Sequence, residues 1–496
     1  MPSDPLAQVE AIIRSLKEQV ETQLGSWLES TTPSKFKQME MDVHALLRGV
    51  ADQLSGLVLV ALSQDPTFQA ETAAAAHVGS AGTLRGAGHR TVKVRLLGGS
   101  VVSVKVAYLA QRRHKRQRRT RRRRRRTCRG LYPLLAALGI WFGVTPALAG
   151  EVCRQVADSD SVRTGREALD RRGIDLGHKQ TLRIVNRFGS RAVQQRQDWL
   201  LDAIDREPSC GVLRGKRVVV ETDGGRLRER VKRGRRSKRT GHHRYDAPWR
   251  EPKLLTIYVI DDKGDVEQSF RPILDGTLDD CNAIFAMLAG YLRALGAHEA
   301  KELIFIADGA KWIWDRTGQL AEMVGLPMAR VTETVDWYHA VETLHEVADL
   351  RSRWPKKSRA QWLKRAKKAL FAGAIDDVMR LFDDIAVGRK ARGINKHRDY
   401  FRRNRNRMQY AAFKAAQRPL GSGAVESGVR RVINMRMKAN GTFWLCENAE
   451  GMLLLRGYLK AGRFDDLVDW SIASSASWWN RRLNTAPIAE HVRLPS

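Results

Sequence analysis

The sequence predicts an α/β fold in which a mainly helical region precedes a mixed sheet and a helical block follows it. From about Lys216, four short apolar runs read as strands, with one helix before the last of them. The third run covers Asp265–Ile273, and we expect the fourth strand to be parallel to the first. Between about Trp337 and Lys414 the pattern is helical and basic, without a strand signal. Residues 1 to about 75 carry apolar residues at helical spacing.

Composition and charge restrict the partners. The chain has 496 residues, 43% of them hydrophobic, which is enough for two or three domains. Lysine and arginine total 87 against 54 acids, so the net charge is +33. A field of this strength attracts polyanions, whose counterions are released on binding. Nucleic acid is therefore the expected partner, and an anionic membrane surface is the next alternative.

Cysteine usage favours the cytoplasm. The chain has five cysteines that lie far apart, with no C-x-x-C pair: Cys128, Cys153, Cys210, Cys281 and Cys446. This spacing argues against a zinc ribbon and against a disulfide scaffold, and it fits a reducing compartment. The first residues, "MPSDPLAQVEAIIRSLKEQV", have no apolar segment typical of a secretory signal.

The first 130 residues divide into two regions. Residues 1–80 form the N-terminal helical region, and residues 81–130 contain a β-hairpin and an arginine-rich segment. Apolar and polar residues alternate on either side of Gly98-Gly99, which predicts the hairpin. The run from Arg112 to Arg126 is a block of like charge that we expect to be solvated until it meets phosphate. Its expected DNA-binding residues are Arg121, Arg122 and Arg123.

Residues 131–205 are predicted to be helical. Leu131 to Gly150 is uncharged over about the length of a bilayer span and follows the arginine run, so a membrane-anchored basic protein is one hypothesis. Prolines and glycines interrupt the segment, which favours two buried helices instead.

A helix-turn-helix is the second hypothesis for this region. The pattern predicts helices over about Ser161–Arg171 and Gly177–Phe188, with a turn at Gly173. Lys179 and Arg183 on the second helix would bind DNA. An ordinary helix packing unit is the alternative.

Two acids close apolar strands in residues 210–315. Asp223 follows "KRVVVET" and Asp308 follows "ELIFIA", each with a glycine after it. Sites in α/β sheets form at the carboxyl ends of strands, and carboxylates held together need cations between them. Magnesium takes one or two protein carboxylates plus substrate phosphate. A simple Asp-Gly turn is the alternative for each, and Glu221 is a rival on the same strand face.

A third acid is expected from a helix in residues 416–465. "GSGAVESG" brings Glu426 into a first helical turn, where it could also simply complement the helix dipole. Glu447 and Glu450 are alternatives further on. Basic residues expected to contact phosphates follow Glu426 along the helix: Arg430, Arg431, Arg436 and Lys438.

The ordered motifs resemble a known family. "DGAKWIW" at Asp308, "DWYHAVETL" at Asp336 and "GSGAVESG" through "RMKANGTFW" are its matching motifs, and together with their framework they cover roughly residues 80 to 460. The set Asp223, Asp308 and Glu426 resembles the acids of DD(E) insertion-sequence transposases, most of all the ISKra-type family, which is distantly akin to Mutator-like transposases.

The resemblance implies a fold and an activity. The fold would be a ribonuclease-H-like mixed-sheet catalytic core with an all-helical insertion at 330–415. Asp223, Asp308 and Glu426 would hold two Mg²⁺ ions, or Mn²⁺, for cleavage at the element end and transfer of the freed 3′-hydroxyl to target DNA. The partners would be terminal inverted repeats and target DNA, with a homodimer or higher oligomer on the nucleoid. A catalytically inactive or domesticated DNA-binding derivative is the alternative.

Three further residues match the family pattern with structural roles. Asp336-Trp337-Tyr338-His339 resembles the acid-or-Cys-x-x-His signature that opens the helical insertion. We expect Asp336 to cap that helix and His339 to be a satisfied core histidine. Trp444 matches a tryptophan after the glutamate helix, with an ordinary core aromatic as the alternative. The basic insert after Asp223 is longer than the family pattern requires, and residues 466–496 have no assignment.

Overall fold

The computed structural model describes residues 5–79, 84–111, 130–208, 210–237, 239–351, 354–386 and 391–473. The fold is α/β, and the chain divides into two compact units. One unit contains the chain up to Arg191 together with the helix that starts at Phe464, and the other runs from Ala192 to Arg463. Cys128 and the predicted DNA-binding residues Arg121, Arg122 and Arg123 lie outside the described residues.

The first unit begins with three helices and a small antiparallel sheet. These elements are α1 (Pro5–Leu28), α2 (Pro33–Gln64), α3 (Pro66–Gly79), β1 (Leu84–Arg95), β2 (Val101–Gln111) and β3 (Gly130–Leu131). The predicted hairpin is confirmed, because β1 pairs with β2 across a turn in which Gly99 has a φ of 103°. The carboxylate of Asp52 accepts hydrogen bonds from the backbone N–H groups of Gly98 and Ser100, which fixes α2 against this turn.

The uncharged segment after the arginine run forms two short helices, as expected. They are α4 (Pro133–Ala137) and α5 (Pro146–Asp158), and both contribute buried side chains. Phe142 and Gly143 between them have φ angles of 60° and 72°, a left-handed turn that excludes one continuous span. The membrane-span hypothesis for Leu131–Gly150 is therefore wrong. In the described part of the chain, α2 is the one helix with the length and composition to cross a membrane.

The predicted helix pair after α5 is present. It consists of α6 (Val162–Asp170) and α7 (His178–Asp205). Ser161 caps α6 by accepting a hydrogen bond from the Thr164 N–H, and Gly173 takes a φ of 79° in the turn. The second helix continues to Asp205 rather than ending at Phe188, and the boundary of the two units falls within it. The first unit also contains α17 (Phe464–Ala473).

The second unit contains a five-stranded mixed sheet and two small hairpins. The strands are β4 (Arg217–Gly224), β5 (Leu227–Arg228), β6 (Val231–Arg233), β7 (Arg244–Asp246), β8 (Trp249–Arg250), β9 (Lys253–Ile260), β10 (Ile273–Thr277), β11 (Glu302–Ala307) and β12 (Val331–Val335). The sheet order is β10-β9-β4-β11-β12. Strands β4, β11 and β12 are parallel to one another, while β9 and β10 are antiparallel to their neighbours.

The strand order confirms part of the prediction and corrects two details. The fourth predicted strand, β11, is parallel to the first, β4, as expected. The third strand, predicted over Asp265–Ile273, instead occupies Ile273–Thr277. The range 330–415 is not wholly helical, because it opens with β12, whose five residues pair with β11.

Helices cover the sheet and form the predicted helical block. They are α8 (Cys281–Ala294), α9 (Lys311–Val324), α10 (Trp337–Asp349), α11 (Lys356–Phe371), α12 (Ile375–Asp383), α13 (Ala391–Arg403), α14 (Tyr410–Ala415), α15 (Gly423–Gly428) and α16 (Cys446–Lys460). One hydrophobic core contains Val220 of β4, Phe305 of β11 and Phe382 and Phe401 of the helical block. The helical block therefore shares one hydrophobic core with the sheet. This core fixes the positions of the carboxyl ends of β4 and β11.

Candidate active site

Two of the three predicted acids lie side by side at one edge of the sheet. β4 and β11 are adjacent and parallel, and Ile306 is paired with Glu221. Continuing this register by two residues sets Asp308 beside Asp223. The negative charge of Asp308 adds to burial in raising the pKa of Asp223, which agrees with their proximity. The prediction that the two strand ends face a common site is met by this arrangement.

Each aspartate also accepts a hydrogen bond from a nearby backbone N–H, but only Asp308 lies in a turn, because Asp223 and Gly224 are paired with β9 within β4. Asp223 Oδ1 accepts from the Gly224 N–H at 2.7 Å, and Asp308 Oδ1 accepts from the Ala310 N–H at 3.0 Å. A Cβ on Gly309 would lie 1.9 Å from the Tyr400 ring, so glycine is required after Asp308. The turn interpretation therefore fits Asp308 and is wrong for Asp223, and in both residues a backbone N–H fixes one carboxylate oxygen.

Glu426 reaches the same cleft from a helix. It lies in the first turn of α15, with 47% of its side chain exposed, and it lines the cleft together with Asp223, His339 and Glu342. Burial raises the pKa of Glu426, and the charges of Asp336 and Asp223 raise it further. Asp223 is thus within electrostatic reach of both Asp308 and Glu426.

His339 carries positive charge between the carboxylates. Its Nδ1 lies 3.6 Å from Asp336 Oδ1 and 3.9 Å from Glu426 Oε1. The Asp336 carboxylate raises the pKa of His339 to about 9 against the opposing effect of burial, so the imidazole is protonated at neutral pH. His339 faces the cleft and balances part of its negative charge, which corrects the expectation of a satisfied core histidine.

Asp336 is an anchor for two segments at once. It caps α10, as predicted, because Oδ1 accepts from the Tyr338 and His339 N–H groups. Its Oδ2 accepts from the N–H and the hydroxyl of Ser422, in the loop that enters α15. Burial favours protonation, but these hydrogen bonds outweigh it and lower the pKa of Asp336 to about 2. Four donors fill the acceptor sites of this carboxylate.

Glu221 anchors the same helix from the sheet. This buried side chain accepts hydrogen bonds from the Tyr258 hydroxyl at 2.8 Å and from the Val425 N–H at 2.7 Å. Burial raises the pKa of Glu221 to about 7. Glu221 is therefore committed to the first turn of α15 and is not the catalytic rival that strand alternation allowed. Sequence offered no signal for the contact, because Glu221 and Val425 are 204 positions apart.

Removing this anchor is expected to displace Glu426. Glu221→Ala leaves the Val425 N–H and the Tyr258 hydroxyl buried without their acceptor, at a cost of about 2 kcal/mol in the free energy of unfolding. Glu221→Gln keeps an acceptor for Val425 and can donate to Tyr258, so we expect stability near that of the wild type. Urea unfolding of both variants measures the difference. Equal losses for alanine and glutamine would mean that the hydrogen bonds do not hold the helix.

The basic residues after Glu426 do not share one surface. Arg430, Arg431 and Lys438 are exposed, as their predicted role requires. Arg436 is only 5% exposed, and its guanidinium lies 5.4 Å from the Trp444 ring centroid. The prediction that Arg436 binds DNA is therefore wrong. Trp444 donates its indole N–H to the Met437 carbonyl at 3.0 Å, which fits the core-aromatic alternative.

The two alternative glutamates lie outside the cleft. Glu450 accepts hydrogen bonds from the Thr277 hydroxyl and the Leu278 N–H, and burial raises its pKa to about 7. Glu447 is exposed in the first turn of α16. Neither residue lines the cleft that Asp223 and Glu426 share.

The donor set suits a hard divalent cation. Ligand atoms of Asp336, His339 and Glu426 lie within 4.8 Å of one another. The acceptor sites of Asp336 are filled by four donors, however, so this carboxylate is a poor ligand. The cleft also presents the carboxylate of Asp223, which lies beside Asp308, and carboxylate oxygens are ligands of the kind that Mg²⁺ or Mn²⁺ prefers.

Comparison of the chain with protein-family models, with curated proteins and with solved structures gave no match.

Proposed function

We propose that the protein is a DD(E) DNA transposase that binds the ends of its insertion sequence and catalyses metal-dependent strand cleavage and strand transfer. The placement of Asp223, beside Asp308 at the sheet edge and in one cleft with Glu426, carries the proposal. Two of these acids end adjacent parallel strands and the third opens a helix. The net charge of +33 supports a nucleic-acid substrate.

The sheet supports a ribonuclease-H-like core. Its order β10-β9-β4-β11-β12 combines an antiparallel half with a parallel half, and the first acid ends the central strand β4. The helical block α10 to α14 lies between the second and third acids in the chain. This arrangement is the one that the resemblance implies.

The residues of the site have separable tasks. Asp223 is fixed within β4 and Asp308 by the turn after β11, while Glu221 and Asp336 anchor the helix that bears Glu426. Two bound Mg²⁺ or Mn²⁺ ions would activate the attacking oxygen and stabilise the leaving oxygen of the phosphodiester. Because the acids are positioned before DNA arrives, the protein contributes mainly orientation and charge.

DNA binding is assigned to several basic surfaces. Arg430, Arg431 and Lys438 follow Glu426 and would contact the phosphates near the cleft. Lys179 and Arg183 are exposed at the start of α7 in the first unit and would contact the inverted repeats. The proposal places a homodimer or higher oligomer on DNA, at the nucleoid in the cytoplasm.

Strand cleavage on a labelled duplex that carries the element end tests this function. The wild type is expected to nick the end with Mg²⁺ and not with EDTA. Asp308→Asn should abolish nicking, whereas Glu447→Gln, a change in an exposed acid outside the cleft, should not. Tight binding without nicking by the wild type would reject the enzyme and favour the alternative, a catalytically inactive or domesticated DNA-binding derivative.

A further inference from the structure

A basic hairpin protrudes next to the proposed site. We use this name for residues Arg226–Arg250, the insert between β4 and β9, which contains the pairs β5–β8 and β6–β7. It contains eleven arginines and lysines and two acids, so its net charge is +9. Its first residue follows Asp223 by three positions in the chain. A cationic element thus starts at the edge of the sheet that bears the carboxylates.

The two acids of the basic hairpin form ion pairs with arginines of the same hairpin. Glu229 lies 2.8 Å from Arg250, and Asp246 lies 3.5 Å from Arg233. These pairs fasten the arms of the hairpin but leave its large excess of positive charge in place. The positive charges of such an exposed element repel one another, and an anionic ligand reduces this repulsion.

Two aromatic rings lie exposed among these charges. Trp249 is 52% exposed and Tyr245 is 41% exposed. The Arg228 guanidinium lies 4.9 Å from the Trp249 ring, and that of Arg230 lies 4.3 Å from the Tyr245 ring. Alternating guanidinium groups and rings form a platform that is suited to stacking with nucleobases and to phosphate contacts.

The hairpin is fixed to the segment that follows the Glu426 helix. The Arg230 N–H donates to the Trp444 carbonyl at 2.6 Å, and the Trp444 N–H donates to the Arg228 carbonyl at 2.9 Å. The rings of Tyr245 and Phe443 lie 5.8 Å apart. Trp444 belongs to the unit that carries the acids. The contact therefore holds the platform in a fixed position relative to the acids.

We infer that the basic hairpin is a binding site for single-stranded DNA. Bases of an unpaired strand stack on Trp249 and Tyr245, while the arginines of the hairpin contact its phosphates. Duplex DNA hides the faces of its bases, so only an unpaired strand uses the rings. The choice of DNA as the ligand rests on the proposed function, and the stacking platform itself rests on the exposed rings and their guanidinium partners.

Fluorescence anisotropy of a labelled oligothymidylate, measured in EDTA to prevent cleavage, tests the inference. The double variant Trp249→Ala/Tyr245→Ala is expected to bind the single strand at least about tenfold more weakly. Its affinity for a duplex should stay within about twofold of the wild type, because the phosphate contacts remain. Trp249→Phe/Tyr245→Phe should recover most of the loss. Val231→Ala, which changes an exposed aliphatic side chain of the same hairpin, should have no effect.

Several outcomes would reject the inference. They are an unchanged affinity of the alanine variant for the single strand, an equal loss on single strand and duplex, and tighter wild-type binding to an oligouridylate of equal length. None of these readouts requires catalysis. Ring-dependent binding to oligothymidylate, together with no nicking in the cleavage test, would therefore reject the transposase and leave the binding site standing.

Discussion

Replacing Asp336 with alanine is expected to lower the free energy of unfolding by about 3 kcal/mol. The loss has two parts. The first turn of α10 loses its cap, and the Ser422 N–H and hydroxyl lose a buried charged acceptor. Because Ser422 precedes the helix with Glu426, the same substitution should remove most of the nicking activity. Urea unfolding and the cleavage test measure the two effects.

A capping aspartate elsewhere in the same unit provides the matched control. Asp280 caps α8 by accepting from the Ala283 N–H. Asp280→Ala should cost only about 1 kcal/mol, the usual value for a cap, and should preserve nicking. If both substitutions cost the same, Asp336 would act as a cap alone, and the link to the loop before Glu426 would carry no energy.

The features that sequence predicted are those determined by short segments. The apolar runs before Asp223 and Asp308 are buried strands; Asp223 lies near the end of β4, and Asp308 follows β11 immediately. Neighbouring parallel strands then bring the two acids to one edge without further information. β12 was missed because "VTETV" is short and half polar, and its pairing with β11 decides its conformation.

Other features depend on contacts between distant residues. The third strand was predicted too early because Asp275 and Gly276 look like a turn. In the structure they lie within β10, where Asp275 is buried and paired with Arg196 at 2.8 Å, 79 positions earlier. A buried carboxylate of this kind is tolerated only with such a partner. The sequence around residues 273–277 does not indicate that Arg196 is the partner of Asp275.

The error at Arg436 has a local cause. The sequence predicts that the basic residues follow Glu426 along one helix and contact phosphates there. Instead, Val429–Asn434 forms a π-helical segment and the helix ends at the turn that follows it. A π-helical segment changes the angle between successive side chains, so spacing counted for an α-helix no longer identifies the face. Arg436 consequently points into the interior against Trp444, while Arg430 and Lys438 remain exposed.

The carboxylate cleft is expected to lower stability in the absence of metal. The pKa values of Asp223 and Glu426 are raised by burial and by the neighbouring acids. Acids whose pKa is higher in the folded protein than in the unfolded chain bind protons more tightly when folded, so their ionisation destabilises the fold as pH rises. In EDTA, Asp308→Asn should therefore raise the melting temperature at pH 7, and this gain should shrink as the pH is lowered toward 5.

Magnesium should raise the melting temperature of the wild type above that of Asp308→Asn. An ion bound only by the folded state adds about 2.7 kcal/mol at one hundred times its dissociation constant. The wild type and Glu447→Gln should gain this stability on addition of Mg²⁺, whereas Asp308→Asn should gain little. Differential scanning fluorimetry in EDTA and in a Mg²⁺ series measures the shift. Equal shifts in all three proteins would mean that Mg²⁺ acts elsewhere. A gain in melting temperature confined to the wild type and Glu447→Gln would show that Mg²⁺ binds at the cleft and relieves the repulsion between its carboxylates.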